Sequence, residues 1–121
     1  MAPPGYVAIV DDEQCVRTAW ERLLRAHGMA CRTYASPLEF VDIARSDPPS
    51  CLVVDVHMLE RTGLELQGEL SRRGIRIPTI VTSGSDDDKC RDACRALGAA
   101  AFLRKPVDQE ALIGAIRSAI R

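Results

Sequence analysis

The chain has 121 residues, 46% of them hydrophobic and 27% charged, which is the length of one domain with one core. Its formal net charge of -1 and pI near 6.1 give no electrostatic basis for direct binding to nucleic acid or to an anionic membrane. No apolar run approaches the roughly 20 residues of a membrane helix, and Met1–Gly5 lacks the basic and apolar regions of a signal peptide, so a single cytoplasmic domain over residues 1–121 is expected.

Tyr6–Val10 is continuously apolar and ends in Asp11-Asp12, the pattern of a strand buried on both faces. Val16, Ala19, Trp20, Leu23 and Leu24 then recur at helical spacing, and His27-Gly28 closes that helix. Residues 30–34 mix apolar and polar positions, as in an outer strand. Ser36-Pro37-Leu38-Glu39 predicts a helix start, with Ser36 as cap, Pro37 in the first helical position and Glu39 completing a capping box. The helix should end before Asp47-Pro48-Pro49.

Cys51–Val54 is the next buried strand and delivers Asp55 at its end. A loop runs to Gly63, and a helix follows with Leu66 and Leu70 on one side and Gly68 weakening it by about 1 kcal/mol relative to alanine. Thr79–Thr82 is strand-like and leads into Ser83-Gly84-Ser85. Asp86-Asp87-Asp88 suits a helix N-terminus, and its helix should carry Cys90, Ala93, Cys94 and Leu97 inward. Ala100–Leu103 is the last strand. The final helix starts at Asp108, with Ala111, Leu112, Ala115, Ile116, Ala119 and Ile120 on its apolar faces. Five strands alternating with five helices imply βαβ units, a parallel sheet and helices on both faces.

The cysteines, Cys15, Cys31, Cys51, Cys90 and Cys94, are odd in number and have no zinc-ligand spacing, so most are expected to be small core residues. A redox pair at Cys90 and Cys94, four apart on one helix, is the sharper alternative.

In open parallel sheets, ligands gather beyond the carboxyl ends of the strands. Here the first strand ends in Asp11-Asp12, the third in Asp55, the fourth in Thr82-Ser83-Gly84 and the fifth in Arg104-Lys105-Pro106. Three carboxylates, a hydroxyl and an ammonium would meet. Packed carboxylates repel one another, and a divalent cation with hard oxygen ligands, such as Mg²⁺, relieves that repulsion. One carboxylate can then act as a nucleophile toward phosphorus, with the lysine balancing charge on the transferred group. Gly84 leaves room for a donor. Any one of these residues alone is more commonly a helix cap or a turn; the weight lies in their joint placement.

These residues carry a resemblance. Ile9-Val10-Asp11-Asp12-Glu13, Val53-Val54-Asp55 followed by Met58 and Gly63, Ile77-Pro78, Ser83-Gly84 and Lys105-Pro106 resemble the receiver domain of two-component response regulators from about Tyr6 to Ile120. The first-strand signature, the Ser-Gly pair and the Phe-x-x-Lys-Pro close are most similar to the LuxR/FixJ-type branch, many members of which carry a DNA-binding domain after the receiver.

The resemblance implies a flavodoxin-like (βα)5 doubly wound sheet of order 2-1-3-4-5. It implies Asp55 as phosphoacceptor. Mg²⁺ would be bound by Asp12 and Asp55, by Asp11 mainly through water, and by the backbone carbonyl of His57. Ser83 would contact the phosphoryl group and act as a switch, Lys105 would pair with phosphate or Asp55, Lys105-Pro106 would be cis, and Phe102 would be the moving aromatic. The donor would be a histidine kinase or phosphotransfer protein, with homodimerisation or an output domain beyond this chain reading the switch. The domain would thus be a phosphoacceptor switch that catalyses its own phosphoryl transfer from the donor and its own dephosphorylation, rather than a conventional enzyme.

Leu59 departs from the Met-Pro usual after the phosphoacceptor, which lends slight support to a phosphorylation-independent pseudo-receiver that acts as an interaction module. The complete set of Asp11, Asp12, Asp55, Ser83 and Lys105 argues against that. The histidine at position 57 is unusual; its charge would respond to pH near neutrality if it faced the site, and otherwise it serves only through its carbonyl. Phe102 is as readily a core residue as a switch. A haloacid-dehalogenase-type hydrolase is disfavoured, since no second catalytic Asp follows Asp11-Asp12 in the required pattern.

Overall fold

The computed structural model of the chain describes residues 5–44, 46–56, 63–84 and 88–120, without the side chains of Leu64, Asp88 and Cys90. Among the described residues the alternation in the sequence becomes ten elements. These are β1 (Val7–Val10), α1 (Gln14–Ala26), β2 (Cys31–Tyr34), α2 (Pro37–Ala44), β3 (Cys51–Asp55), α3 (Gly63–Arg72), β4 (Thr79–Ser83), α4 (Asp88–Ala96), β5 (Ala99–Arg104) and α5 (Gln109–Ile120). All strand pairs are parallel and the order is β2-β1-β3-β4-β5. This is the doubly wound order expected from the resemblance.

The apolar runs are continuous because both faces of the central strands are covered. Alternate side chains point to opposite layers. Val7 and Ile9 of β1, Val53 of β3 and Ile80 of β4 join Leu24 of α1 and Leu112, Ile113 and Ile116 of α5 in one core layer. Ala8, Val10, Leu52, Val54 and Val81 face the other, where Phe40 and Val41 of α2, Leu66 and Leu70 of α3 and Cys94 of α4 close over them. Tyr34 meets Phe40 edge to face at 5.4 Å between ring centres.

Local signals set the helix ends. Glu39 N–H donates to Ser36 Oγ at 3.4 Å, and Glu39 Oε2 accepts from Ala35 N–H at 3.2 Å, so the capping box closes one residue earlier than its usual form. Asp108 Oδ2 caps α5 by accepting from Ala111 N–H at 2.9 Å. Past α1, Gly28 takes φ of 74°, and Met29 N–H reaches back to Leu24 O at 2.9 Å. That reversal needs the left-handed conformation a glycine adopts without a Cβ penalty. A second glycine has a steric role that the sequence hides: a Cβ on Gly5 would lie 1.7 Å from Ser50 Oγ and 3.0 Å from Ser50 Cβ.

The structure corrects several expected faces. On α4 only Cys94 is buried among the inward set with described side chains; Ala93 is exposed, and Leu97 lies beyond the helix end and is 41% exposed. The helix stops at Ala96 because the chain reverses at Gly98, whose φ is 96°. On α5 the buried residues are Leu112, Ile113 and Ile116, while Ala111 and Ile120 face outward. On α1 Ala19 is exposed and Leu24 alone is fully buried. β1 begins after Tyr6, β2 after Ala30, and β5 at Ala99, each one residue from the expected limit. Residues 85–87, with Ser85 and most of the acidic run, lie outside the described residues.

Burial pushes the Cys51 thiol up to about 12 and raises that of Cys31 as well, so both stay protonated core residues. The Cys90–Cys94 alternative turns on a side chain outside the described residues. No helix among the described residues is long and apolar enough to cross a membrane.

Candidate acidic site at the carboxyl ends of the strands

The strand order places the site. β1 is flanked by β2 and β3, so the chain leaves the centre of the sheet in both directions and a crevice opens above the β1–β3 junction. Val10 pairs with Val54, so Asp11 and Asp55 emerge side by side as the next residues of adjacent strands. Asp55 in turn pairs with Thr82, and Ser83 pairs with Arg104. The ends of four different strands thereby meet at one edge.

Asp11, Asp12 and Asp55 each offer a carboxylate oxygen, and these oxygens lie within 4.8 Å of one another. Asp11 and Asp55 are buried, whereas Asp12 is half-buried. Lys105 reaches in from the end of β5. Its Nζ donates to Asp55 Oδ2 at 2.9 Å and lies 3.7 Å from Asp11 Oδ2. The Lys105 backbone N–H donates to Ser83 O at 2.7 Å, and the Lys105–Pro106 peptide is cis. Ser83, at the end of β4, is fully buried. A Cβ added to exposed Gly84 would meet nothing within 4 Å among the described residues.

The electrostatics follow from this packing. Burial is the largest influence on Asp11 and pushes its pKa up; the neighbouring Asp55 and Asp12 charges add to the rise, against the Glu13 N–H and Lys105, which oppose it. For Lys105, burial pulls the pKa down, but the Asp55 hydrogen bond and the charges of Asp55, Asp11 and Glu13 outweigh it and the net shift is upward. The two directions fit one picture. The ammonium is the hydrogen-bond partner of Asp55, and burial with two neighbouring carboxylates leaves Asp11 raised despite Lys105 at 3.7 Å. Three hard oxygen donors within 4.8 Å of one another are a donor set that suits Mg²⁺, and Asp11, Asp12 and Asp55 could hold such an ion.

The structure brings Asp11, Asp12, Asp55 and Lys105 together, with Ser83 buried at the end of the neighbouring strand β4. Phe102 of β5 pairs with Val81 and is half-buried against the core layer formed with α2, α3 and α4. His57, with Met58 and Leu59, lies outside the described residues. One participant was not legible: Arg17 of α1, whose Nη1 donates to the Asp11 backbone carbonyl at 2.7 Å. In the sequence it is only a polar position beside the apolar stripe of α1.

Comparison with known proteins agrees with this fold. The family model for the response regulator receiver domain matches residues 7–117. The transcriptional regulatory protein FixJ of Azorhizobium caulinodans is 37% identical over 114 residues, covering 94% of this chain and 54% of that protein. The response regulator protein TodT of Pseudomonas putida is 34% identical over 117 residues, covering 97% of this chain and 52% of that one. The chain therefore spans about half the length of these curated relatives. Among solved structures, the crystal structure of FixJ-N is 32% identical with a TM-score of 0.91, covering 99% of this chain and 95% of that one. In sequence, fold and strand order, the chain belongs to the response regulator receiver domains of two-component signalling.

Proposed function

We propose that this receiver domain is an Mg²⁺-dependent phosphoacceptor switch in which Asp55 takes the phosphoryl group. The single observation that carries the proposal is the convergence of Asp11, Asp12 and Asp55 within 4.8 Å, with Lys105 Nζ 2.9 Å from Asp55 Oδ2. Asp11, Asp12 and Asp55 are the residues that would hold Mg²⁺, and the carbonyl of His57 is a further proposed ligand outside the described residues. Bound there, the ion would supply positive charge against the carboxylates and the incoming phosphoryl oxygens.

The chain's own residues do the rest. An Asp55 carboxylate oxygen attacks phosphorus; the new O–P bond forms as the bond from phosphorus to the donor's histidine nitrogen, or to acetate in acetyl phosphate, breaks and the leaving group departs with its electron pair. Lys105, freed from Asp55 Oδ2, follows the charge onto the phosphoryl oxygens. Ser83 supplies a hydroxyl to the same group, and the inward pull on Ser83 vacates space that Phe102 fills. The switch then rests on a two-state equilibrium biased by local charge. A histidine kinase or phosphotransfer protein is the proposed donor. Homodimerisation or an output domain beyond this chain is the proposed reader, and a cytoplasmic location fits such partners.

The test is intact mass after incubation with acetyl phosphate and Mg²⁺. A gain of about 80 Da, absent in Asp55→Asn and absent with chelator, is expected. A folded wild-type protein that gains nothing from acetyl phosphate or from any phosphohistidine donor would instead indicate a phosphorylation-independent interaction module.

A further inference from the structure

The segment that carries Asp11 and Asp12 is a turn between β1 and α1; Asp11 N–H donates across to Tyr34 O at 3.2 Å, and among the described residues three further bonds within the segment hold it. Asp11 Oδ1 accepts from Glu13 N–H at 2.9 Å, closing a local turn over Asp12. Arg17 N–H donates to Glu13 O at 3.1 Å, fixing the first turn of α1. The Arg17 guanidinium then folds back, and Nη1 donates to Asp11 O at 2.7 Å. The distance is that of a charge-assisted hydrogen bond. Arg17 is thereby tied at its backbone to one side of Asp12 and at its side-chain tip to the other.

The direction of the guanidinium matters. An arginine beside an acidic cluster would ordinarily pair with a carboxylate, and it would then compete with a cation for that ligand. This one donates to a backbone carbonyl, while Asp11, Asp12 and Asp55 each keep a carboxylate oxygen within 4.8 Å of the others. Lys105, by contrast, contacts the carboxylates of Asp55 and Asp11.

We propose that Arg17 is a positioning residue for the acidic site: its bond to the Asp11 carbonyl holds the β1–α1 turn so that Asp11 and Asp12 present their carboxylates to a divalent cation together with Asp55. The inference rests on the reading of that cluster as a cation site.

The two roles open to Arg17 have opposite signs, which makes the test decisive. Mg²⁺ affinity is measured by calorimetry on the whole chain for wild type, Arg17→Met, Arg17→Lys and Arg22→Ala. Methionine keeps the apolar stem and removes the donors. Arg22, exposed on α1, controls for loss of one positive charge. Positioning predicts roughly 10-fold weaker binding in Arg17→Met, as for partners that orient metal ligands, recovery in Arg17→Lys to within about 3-fold of wild type, and no weakening in Arg22→Ala. Unchanged or tighter binding in Arg17→Met overturns the proposal, since loss of a nearby cation alone would tighten it. Equal weakening in Arg17→Lys overturns it too, because lysine keeps a donor and the charge. Should Arg17→Met fail to fold, the guanidinium NMR signal of wild-type Arg17 serves instead. It must shift on Mg²⁺ addition while that of Arg22 stays put, and an unmoved Arg17 signal at saturating Mg²⁺ refutes the proposal. A wild-type protein that binds no Mg²⁺ removes the underlying reading rather than this inference.

Discussion

Asp11→Asn should make the metal-free protein more stable, because the site is built against the stability of the apo fold. The Asp11 carboxylate lies within 4.8 Å of those of Asp12 and Asp55, and 3.7 Å from Lys105 Nζ. At an effective dielectric of about 20 each repulsion is worth about 3.5 kcal/mol and the attraction about 4.5. Two repulsions against one attraction leave a net cost near 2 kcal/mol, and burial of the charge adds to it. Asparagine keeps the oxygen that accepts from Glu13 N–H, so the turn survives. We expect a gain of about 1 to 2 kcal/mol at pH 7 in chelator, after allowance for solvent screening. The assay is urea unfolding with and without Mg²⁺. Mg²⁺ should stabilise wild type by mass action and the variant far less. The sign with pH follows from the raised pKa of Asp11. A carboxyl raised in the folded state contributes stability that is present below its unfolded pKa and lost as pH rises through its folded one. The advantage of Asp11→Asn should therefore be small in acid and open as pH rises above the ordinary carboxylate range. A variant less stable than wild type in chelator at pH 7, or an advantage that does not change with pH, would refute the reasoning.

Lys105→Met should lower metal-free stability by about 2 kcal/mol, less than for a fully buried pair because the lysine is 26% exposed, and Mg²⁺ should recover part of the loss in urea unfolding. Gly5→Ala should cost about 1 to 3 kcal/mol by overpacking against Ser50, and a Gly5→Ala, Ser50→Gly double variant should recover much of it; additive losses would contradict the contact. Leu66→Ala, at a fully buried position of α3, should cost about 3 kcal/mol in the same assay.

What the sequence makes legible is what depends on local pattern. Apolar runs ending in acidic or Lys-Pro residues identify both the strands and the edge where ligands gather, because parallel βαβ connections force every strand to point the same way. That is why Asp11, Asp12, Asp55 and Lys105 can be placed together without coordinates. The capping box at Ser36 and the reversal at Gly28 are equally local. The misplaced faces are those where the apolar pattern is broad. α5 is apolar on more than one side, so periodicity does not single out Ile113, and the spacing that puts Leu97 in line with Cys94 carries no sign that the helix stops at Ala96. Gly5 against Ser50 and Arg17 on the Asp11 carbonyl are tertiary contacts of a backbone atom or a missing Cβ, and no residue pattern announces them. The roles proposed for Ser83 and Phe102 concern the phosphorylated state; the structure gives Ser83 a fully buried place at the end of β4 and Phe102 a half-buried one on β5.

The most direct test of the central claim is to locate the phosphoryl group chemically. The protein is incubated with acetyl phosphate and Mg²⁺, the acyl phosphate is reduced with borohydride, which converts a phosphorylated aspartate to homoserine, and the peptides are sequenced by mass spectrometry. The account predicts homoserine at position 55, dependent on Mg²⁺. Homoserine at position 11 or 12 instead, or reduction at position 55 that is equal in chelator, would contradict it.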